Sequence, residues 1–427
     1  MGKEERVQSL NLEVKVPSFF RCPISLDVMR SPVSLCTGVT YDRSSIQRWL
    51  DSGKKTCPAT NQPLPSTDLI PNLTLHRLIQ LWSATASASA DSVANSSPNN
   101  HRHAAVNIVR DIRSSSDPSP LLRRLADFFI DADNDDFEKN AIVGCAAAAV
   151  SSVLIQNAGQ IETLQAAAKA LAVILTTDCI EENNKNVVIS SLISDLSASV
   201  SALLSILKEG KTVESSVDAA RILCAILLSS DSNSKASIAE KSDLIPELIR
   251  LIRQEKMHRD SIDSGIDCLT AICGVRGARF RMVKEGIVPA VVKVMKAEAV
   301  MAPASTTEKA IRLLEAASGI AEGRSEICQA AEDCLGALLR RMMKVGREGM
   351  EAAVVVLWSV CYRFQDRRAV EAVKAENGGV MKILLLMQSN CSPAVRQMSG
   401  DLLKIFRVNT KGCLAGYDTK TTHIMPF

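Results

Sequence analysis

One spacing limits what this chain can fold into. Apolar helical segments centred on Leu171, Leu223, Leu269, Leu314, Leu357 and Leu403 follow one another at intervals of 52, 46, 45, 43 and 46 residues. A second marker keeps the same phase: Asp243-Leu244-Ile245-Pro246 and Gly286-Ile287-Val288-Pro289 each break the chain and start a helix with Pro near its first turn. Asp333-Cys334-Leu335-Gly336 and Gly379-Val380-Met381-Lys382 fall at the corresponding points. A unit of two or three helices cannot bury its own apolar face, so neighbours must stack. The expected result is an elongated helical array from about residue 118 to 410.

Periods near 45 residues are those of armadillo and HEAT solenoids. Composition agrees with many thin helix contacts: 46% of residues are hydrophobic but only 4% aromatic, leaving Ala, Leu, Ile and Val to do the packing. The segments Pro246 to Ile252 and Pro289 to Met295 are expected to be third helices lining a concave face. The formal net charge of +3 resides in residues 1 to 82, with 10 Lys+Arg against 7 Asp+Glu; the other 345 residues hold 40 of each. With no basic stripe, nucleic acid is not an expected partner, and proteins are. Trp358 is the only Trp of the array, so the regular Asn and Trp rows of nuclear-import carriers are missing.

The start, Met1-Gly2-Lys3-Glu4-Glu5-Arg6, lacks the apolar run of a signal peptide, and Arg6 stands where N-myristoylation needs Ser or Thr. The most apolar stretch, Ala141 to Ile155, is short for a bilayer and carries Ser151 and Ser152, so it reads as a buried helix and no membrane insertion is expected. Thirteen cysteines without a secretory signal point to a reducing compartment: the cytoplasm, the nucleus or the inner face of the plasma membrane. Cys145, Cys224, Cys268 and Cys361 read as small buried hydrophobes. Residues 83 to 117, Ser-, Ala- and Asn-rich, read as a flexible tether with one short helical stretch near Val106, and residues 411 to 427 as a tail.

Residues 14 to 82 differ from the rest. Pro, Gly and short alternating segments predict a compact α+β module. Asp42 is placed to cap a helix with Ile46, Trp49 and Leu50 on one face, and Asn72 to cap another that buries Leu75, Leu78, Ile79 and Trp82. Val33, Leu35 and Val39 flank a turn near Gly38. Cys22-Pro23-Ile24-Ser25 and Cys57-Pro58-Ala59-Thr60 look like zinc-binding Cys-x-x-Cys pairs whose second sulfur is a hydroxyl. Two structural zinc ions need about eight Cys or His ligands; this module offers Cys22, Cys36, Cys57 and His76. Its turns must then be held by packing and hydrogen bonds, a role that suits Ser25 and Thr60. A nucleophilic Cys needs a base or a positive environment, and no such arrangement is legible around Cys22, Cys36 or Cys57, so no catalytic residue is assigned.

The segments Phe19 to Leu26, Ser31-Pro32-Val33, Thr37 to Arg43, Ile46 to Leu50, Cys57 to Thr60 and Ile70 to Leu73 resemble a U-box domain in near-complete order. With the repeats behind it, the chain resembles the plant U-box and armadillo-repeat ubiquitin ligases from about residue 14 to its end. The resemblance implies a mainly α protein: a small α+β RING-like module without zinc, then an all-α armadillo-type solenoid. It also implies an enzyme without metal or cofactor that binds a ubiquitin-conjugating enzyme carrying ubiquitin and holds a protein substrate on the repeats. Carried over by motif position, Ile24 and Leu26 of the first loop, Pro58 of the second and Trp49 of the central helix flank a shallow groove for the conjugating enzyme. The alternative for these residues is core packing. Asn61 stands where some family members place a basic residue that bridges conjugating enzyme and ubiquitin. A second reading, a non-enzymatic armadillo adaptor with an inactive U-box, leans on Asn61; a zinc RING is a third.

Overall fold

The computed structural model describes residues 16–87, 99–131, 134, 136–157, 159–210, 212–254 and 257–408. The N-terminal hexapeptide, residues 88–98 of the expected tether and the expected tail lie outside them. The chain packs as two units, residues up to 107 with 128–142, and residues 108–127 with 143 onward.

In the first unit, strands β1 (Pro32–Ser34), β2 (Thr40–Asp42) and β3 (Ile70–Pro71) form an antiparallel sheet in the order β2-β1-β3, with Val33 opposite Tyr41 and Pro71. The turn between β1 and β2 runs through Gly38 at φ 78°, a left-handed conformation that a Cβ disfavours. Helix α1 (Arg43–Asp51) follows β2, and α2 (Leu73–Ser87) follows β3. Phe20, Cys22, Met29, Val33, Leu35, Tyr41, Ile46, Cys57 and Ile79 make the core, with Ile24, Trp49, Leu50, Leu75 and Trp82 packed on it half-buried.

The two expected caps differ in outcome. Asn72 Oδ1 accepts the Leu75 N–H at 3.1 Å, an N-cap bond as expected. Asp42 precedes α1 but makes no side-chain cap; its Oδ1 accepts the N–H groups of Arg30 and Ser31 at 2.8 and 3.0 Å, pinning the segment before β1. Leu78, expected inside, is exposed; His76, two residues earlier, is the buried one.

Within the expected tether lies α3 (Asn99–Ser114), longer than a short stretch near Val106. Two helices, α4 (Ser119–Ile130) and α5 (Asp136–Gln156), precede the regular repeats. α5 is 21 residues long, and of the described helices it alone has the length and apolarity to cross a bilayer. Its Val143, Ala146, Ala147, Val150 and Leu154 are nevertheless buried in protein, and Ser151 Oγ meets Ser191 Oγ at 3.0 Å.

The array then runs α6 (Ile161–Thr176), α7 (Glu182–Ile193), α8 (Leu196–Glu209) and α9 (Val213–Ser229). Three-helix units follow: α10 (Ser232–Ala239), α11 (Leu244–Ile252) and α12 (Arg259–Ile272), then α13 (Arg276–Lys284), α14 (Ile287–Lys296) and α15 (Ala304–Ser318). The next are α16 (Ala321–Gln329), α17 (Ala331–Arg341) and α18 (Arg347–Leu357), extended by a π-turn over Trp358–Arg363, and finally α19 (Arg367–Ala375), α20 (Gly379–Gln388) and α21 (Pro393–Val408). The six phase-marking leucines sit on α6, α9, α12, α15, α18 and α21, which pack each against the next. All are buried, each contributing about 1.5–3 kcal/mol.

This stacking corrects the layer assignment. Pro246 to Ile252 and Pro289 to Met295 belong to α11 and α14, the middle helices, whose apolar residues are buried on several sides. The third helices are α9, α12, α15 and α18, and they leave a polar stripe uncovered. The middle layer uses its cations internally. Arg250, Lys293, Arg341 and Lys382 donate to Leu207 O, Arg253 O, Met295 O and Leu339 O, each time the C-terminal carbonyls of the preceding middle helix. A cation at a helix C-terminus satisfies an orphan acceptor and meets the negative end of the dipole. Cys268 and Cys361 are buried as expected, whereas Cys224 is half-buried and Cys145 is exposed.

Candidate functional site

The two Cys-Pro loops of the first unit are near copies. In the first, Cys22 N–H donates to Asp27 O and Leu26 N–H to Cys22 O, both at 2.8 Å, and Arg21 and Val28 bridge its ends. In the second, Cys57 N–H donates to Gln62 O and Asn61 N–H to Cys57 O, again at 2.8 Å, with Thr56 and Pro63 as the bridge. The fifth residue of each turn is left-handed: Leu26 at φ 63° and Asn61 at φ 57°. Asn visits that region readily because its short amide bonds locally, whereas for Leu it costs about 1–2 kcal/mol. No burial offsets the cost at Leu26, whose side chain is 67% exposed.

Hydrogen bonds to the two loop sulfurs brace these turns. Cys22 Sγ accepts the Asp42 N–H at 3.3 Å. Around Cys57 a hub forms: the Tyr41 hydroxyl lies 3.0 Å from Cys57 Sγ and accepts the Ala59 N–H at 3.0 Å, and Thr37 donates to the same sulfur at 3.4 Å. Burial pushes the Cys57 thiol up, but hydrogen bonds from Thr37, Thr60 and Tyr41 outweigh it and draw the thiol down to about 6. Burial, then the bond to Cys57, pushes the Tyr41 phenol well above its usual range. Tyr41 therefore keeps its proton and donates, and the sulfur accepts. Of the two hydroxyls expected to brace the turns, Thr60 bonds Cys57, while Ser25 lines the groove described next.

Loop two is tied to α1 by Trp49 Nε1, which donates to Thr56 O at 2.8 Å, and Lys54 Nζ lies 3.7 Å from the centre of the Trp49 ring. Arg21 braces loop one, donating to Leu26 O at 2.9 Å. Between α1 and loop one opens a groove of 410 Å³ lined by Ile24, Ser25, Ser45, Arg48, Trp49 and Ser52. The structure thus brings Ile24 and Trp49 together. Pro58, half-buried, and the exposed Leu26 and Asn61 lie outside that lining on the two loops. Ser45, Arg48 and Ser52 escaped the sequence reading, although with Trp49 they follow the i, i+3, i+4, i+7 spacing of one helical stripe.

Two family patterns match the chain, one after the other. The U-box domain matches residues 16–88, and the plant U-box protein ARM repeat region matches residues 105–424. The chain belongs to the plant U-box protein family. This U-box protein is 39% identical to U-box domain-containing protein 28 of Arabidopsis thaliana over 419 residues, which cover 96% of its own length and 98% of the relative's. It is 28% identical to the Arabidopsis E3 ubiquitin-protein ligase PUB23, with 92% and 93% of the two chains covered. A solved structure from work on the cadherin and beta-catenin interaction matches 80% of this U-box protein and 58% of that chain, with TM-score 0.54 at 15% identity, a likeness of fold.

Proposed function

We propose that the groove between loop one and α1, with Leu26, Pro58 and Asn61 beside it, docks a ubiquitin-conjugating enzyme that carries ubiquitin as a thioester. The chain is a U-box ubiquitin ligase, and docking of this kind is how a ligase without a nucleophile can act. Holding a thioester and an acceptor lysine together raises their effective concentration and selects a reactive conformer. The observation that carries the reading is Leu26. The loop closing on Cys22 sets its φ of 63°, which Gly or Asn would take with little strain, yet an apolar side chain stands there 67% exposed, as expected where a partner covers it. Ile24 and Trp49 supply half-buried apolar walls, and Arg48 a cation at the rim. Asn61 fits its left-handed backbone, so the amide there has a conformational reason and does not by itself mark an inactive module.

The repeats bind the protein to be modified, and we assign that role to the uncovered stripe of the third helices. Arg221 pairs with Asp260 and Arg312 with Glu348, both at 3.0 Å, and Lys309 pairs with Asp267, so charges of both signs alternate along the stack. Trp358 stacks on Tyr362 with ring centroids 5.5 Å apart. Such a surface suits a folded or extended protein segment better than a polyanion.

Chain formation on the ligase itself tests the docking half. With a panel of charged conjugating enzymes the wild type builds ubiquitin chains, and Ile24→Ala or Pro58→Ala does not. A wild type inert with the whole panel supports the adaptor reading instead.

A further inference from the structure

Two thiols lie on α9 and α12, adjacent third helices of the array. Cys224 on α9 is half-buried, and Cys268 on α12 is fully enclosed. Helices α9 and α12 pack directly against each other, and Cys268 Sγ donates to Ala220 O at 3.1 Å, the carbonyl one turn before Cys224 on α9, which sets the two thiols side by side. That contact shows how closely the helices approach: the Cys268 sulfur touches the backbone of α9 itself. Both residues flank phase-marking leucines, Cys224 following Leu223 and Cys268 preceding Leu269, so the pairing follows from the register of the repeat.

We propose that Cys224 and Cys268 are a peroxide-responsive dithiol, a modification site that closes a disulfide between the third helices of neighbouring repeats. Cys224 is the thiol that solvent reaches. The adjoining Cys268 thiol lowers its pKa, and Lys309 acts in the same direction, while burial and Asp267 oppose them. Cys268, sealed off and held well above the usual thiol range by burial, is suited to resolve and not to attack first. The Cys224 thiolate attacks one oxygen of hydrogen peroxide, the O–O bond breaks, and a sulfenic acid and water result. Cys268 Sγ then attacks the sulfenic sulfur; the S–S bond forms, and the departing hydroxide takes the Cys268 proton as a second water. Two thiols and one peroxide give one disulfide and two waters. A solenoid is held together only by contacts between neighbours, so this bond fixes one step of the stack covalently. The proposal stands apart from the ligase reading.

Differential alkylation and mass spectrometry of the full-length protein after one equivalent of hydrogen peroxide is the test, with the exposed Cys145 as internal standard. The expected result is a Cys224–Cys268 linked peptide that dithiothreitol removes, formed before Cys145 is oxidised. In Cys268→Ala, whose folding is checked by circular dichroism, Cys224 should accumulate as a sulfenic acid trapped by dimedone. Oxidation of Cys145 ahead of Cys224, or conversion of wild-type Cys224 to sulfinic acid without a linked peptide, overturns the proposal.

Discussion

Replacing Cys57 by Ser tests whether the polar hub stands in for metal. In the folded module the Cys57 thiol is drawn down to about 6 from an ordinary value of 9.0, and the sulfur is fully buried. Between those two pH values the unfolded chain keeps the thiol proton and the folded chain does not, so stability rises with pH. This contribution is complete above pH 9 and is lost as pH falls through 6. Its slope is at most about 1.4 kcal/mol per pH unit. Ser at this position keeps a hydroxyl acceptor but does not ionise in the range, and the difference between the two proteins cancels every other titrating group. For a module this small the urea slope is about 1 kcal/mol per M. The gap between wild-type and Cys57→Ser midpoints should therefore widen by up to about 1.4 M per pH unit from pH 6 to 9. The assay is urea unfolding followed by Trp fluorescence in a Trp358→Phe background, where Trp49 and Trp82 report on the U-box alone. Parallel curves across that range would refute the hub as an ionised hydrogen-bond acceptor.

Leu26→Gly separates folding from function: removing the left-handed strain should leave the U-box melting temperature unchanged or raise it, while ubiquitin transfer falls at least about tenfold if one apolar contact is lost. Asn61→Arg should speed transfer, because a guanidinium donates charge-assisted hydrogen bonds that an amide does not; single-turnover rates measure it. Arg250→Met keeps the apolar stem but removes the donor to Leu207 O, and should cost the array about 1–2 kcal/mol in chemical denaturation.

Much of this organisation is written in residue spacing. The leucine phase located all six stacked helices, since burial between neighbours demands an apolar centre once per repeat. The two Cys-Pro loops were readable because a tight turn needs those residue types. What escaped depends on contacts between distant residues. Nothing local told whether Pro246 to Ile252 was a middle or a third helix; only stacking decides that. The stripe Asp260, Asp263, Asp267 and Thr270 on α12, at helical spacing and incompletely buried, carried the better signal. Asp42 looked like a cap because it precedes a helix, but the Arg30 and Ser31 amides, 12 and 11 residues earlier, compete for its carboxylate. Leu26 is invisible as a strained residue in sequence, since its backbone angle is set by the loop closing on Cys22.

The most direct measurement is discharge of a ubiquitin-charged conjugating enzyme to free lysine, followed in a single turnover with and without the full-length protein. The account expects wild type to accelerate discharge, Ile24→Ala and Leu26→Gly to lose the acceleration while remaining folded, and no ubiquitin to become attached through a thioester to the ligase. Acceleration that survives both substitutions, or a reducible thioester on Cys22, Cys36 or Cys57, contradicts it.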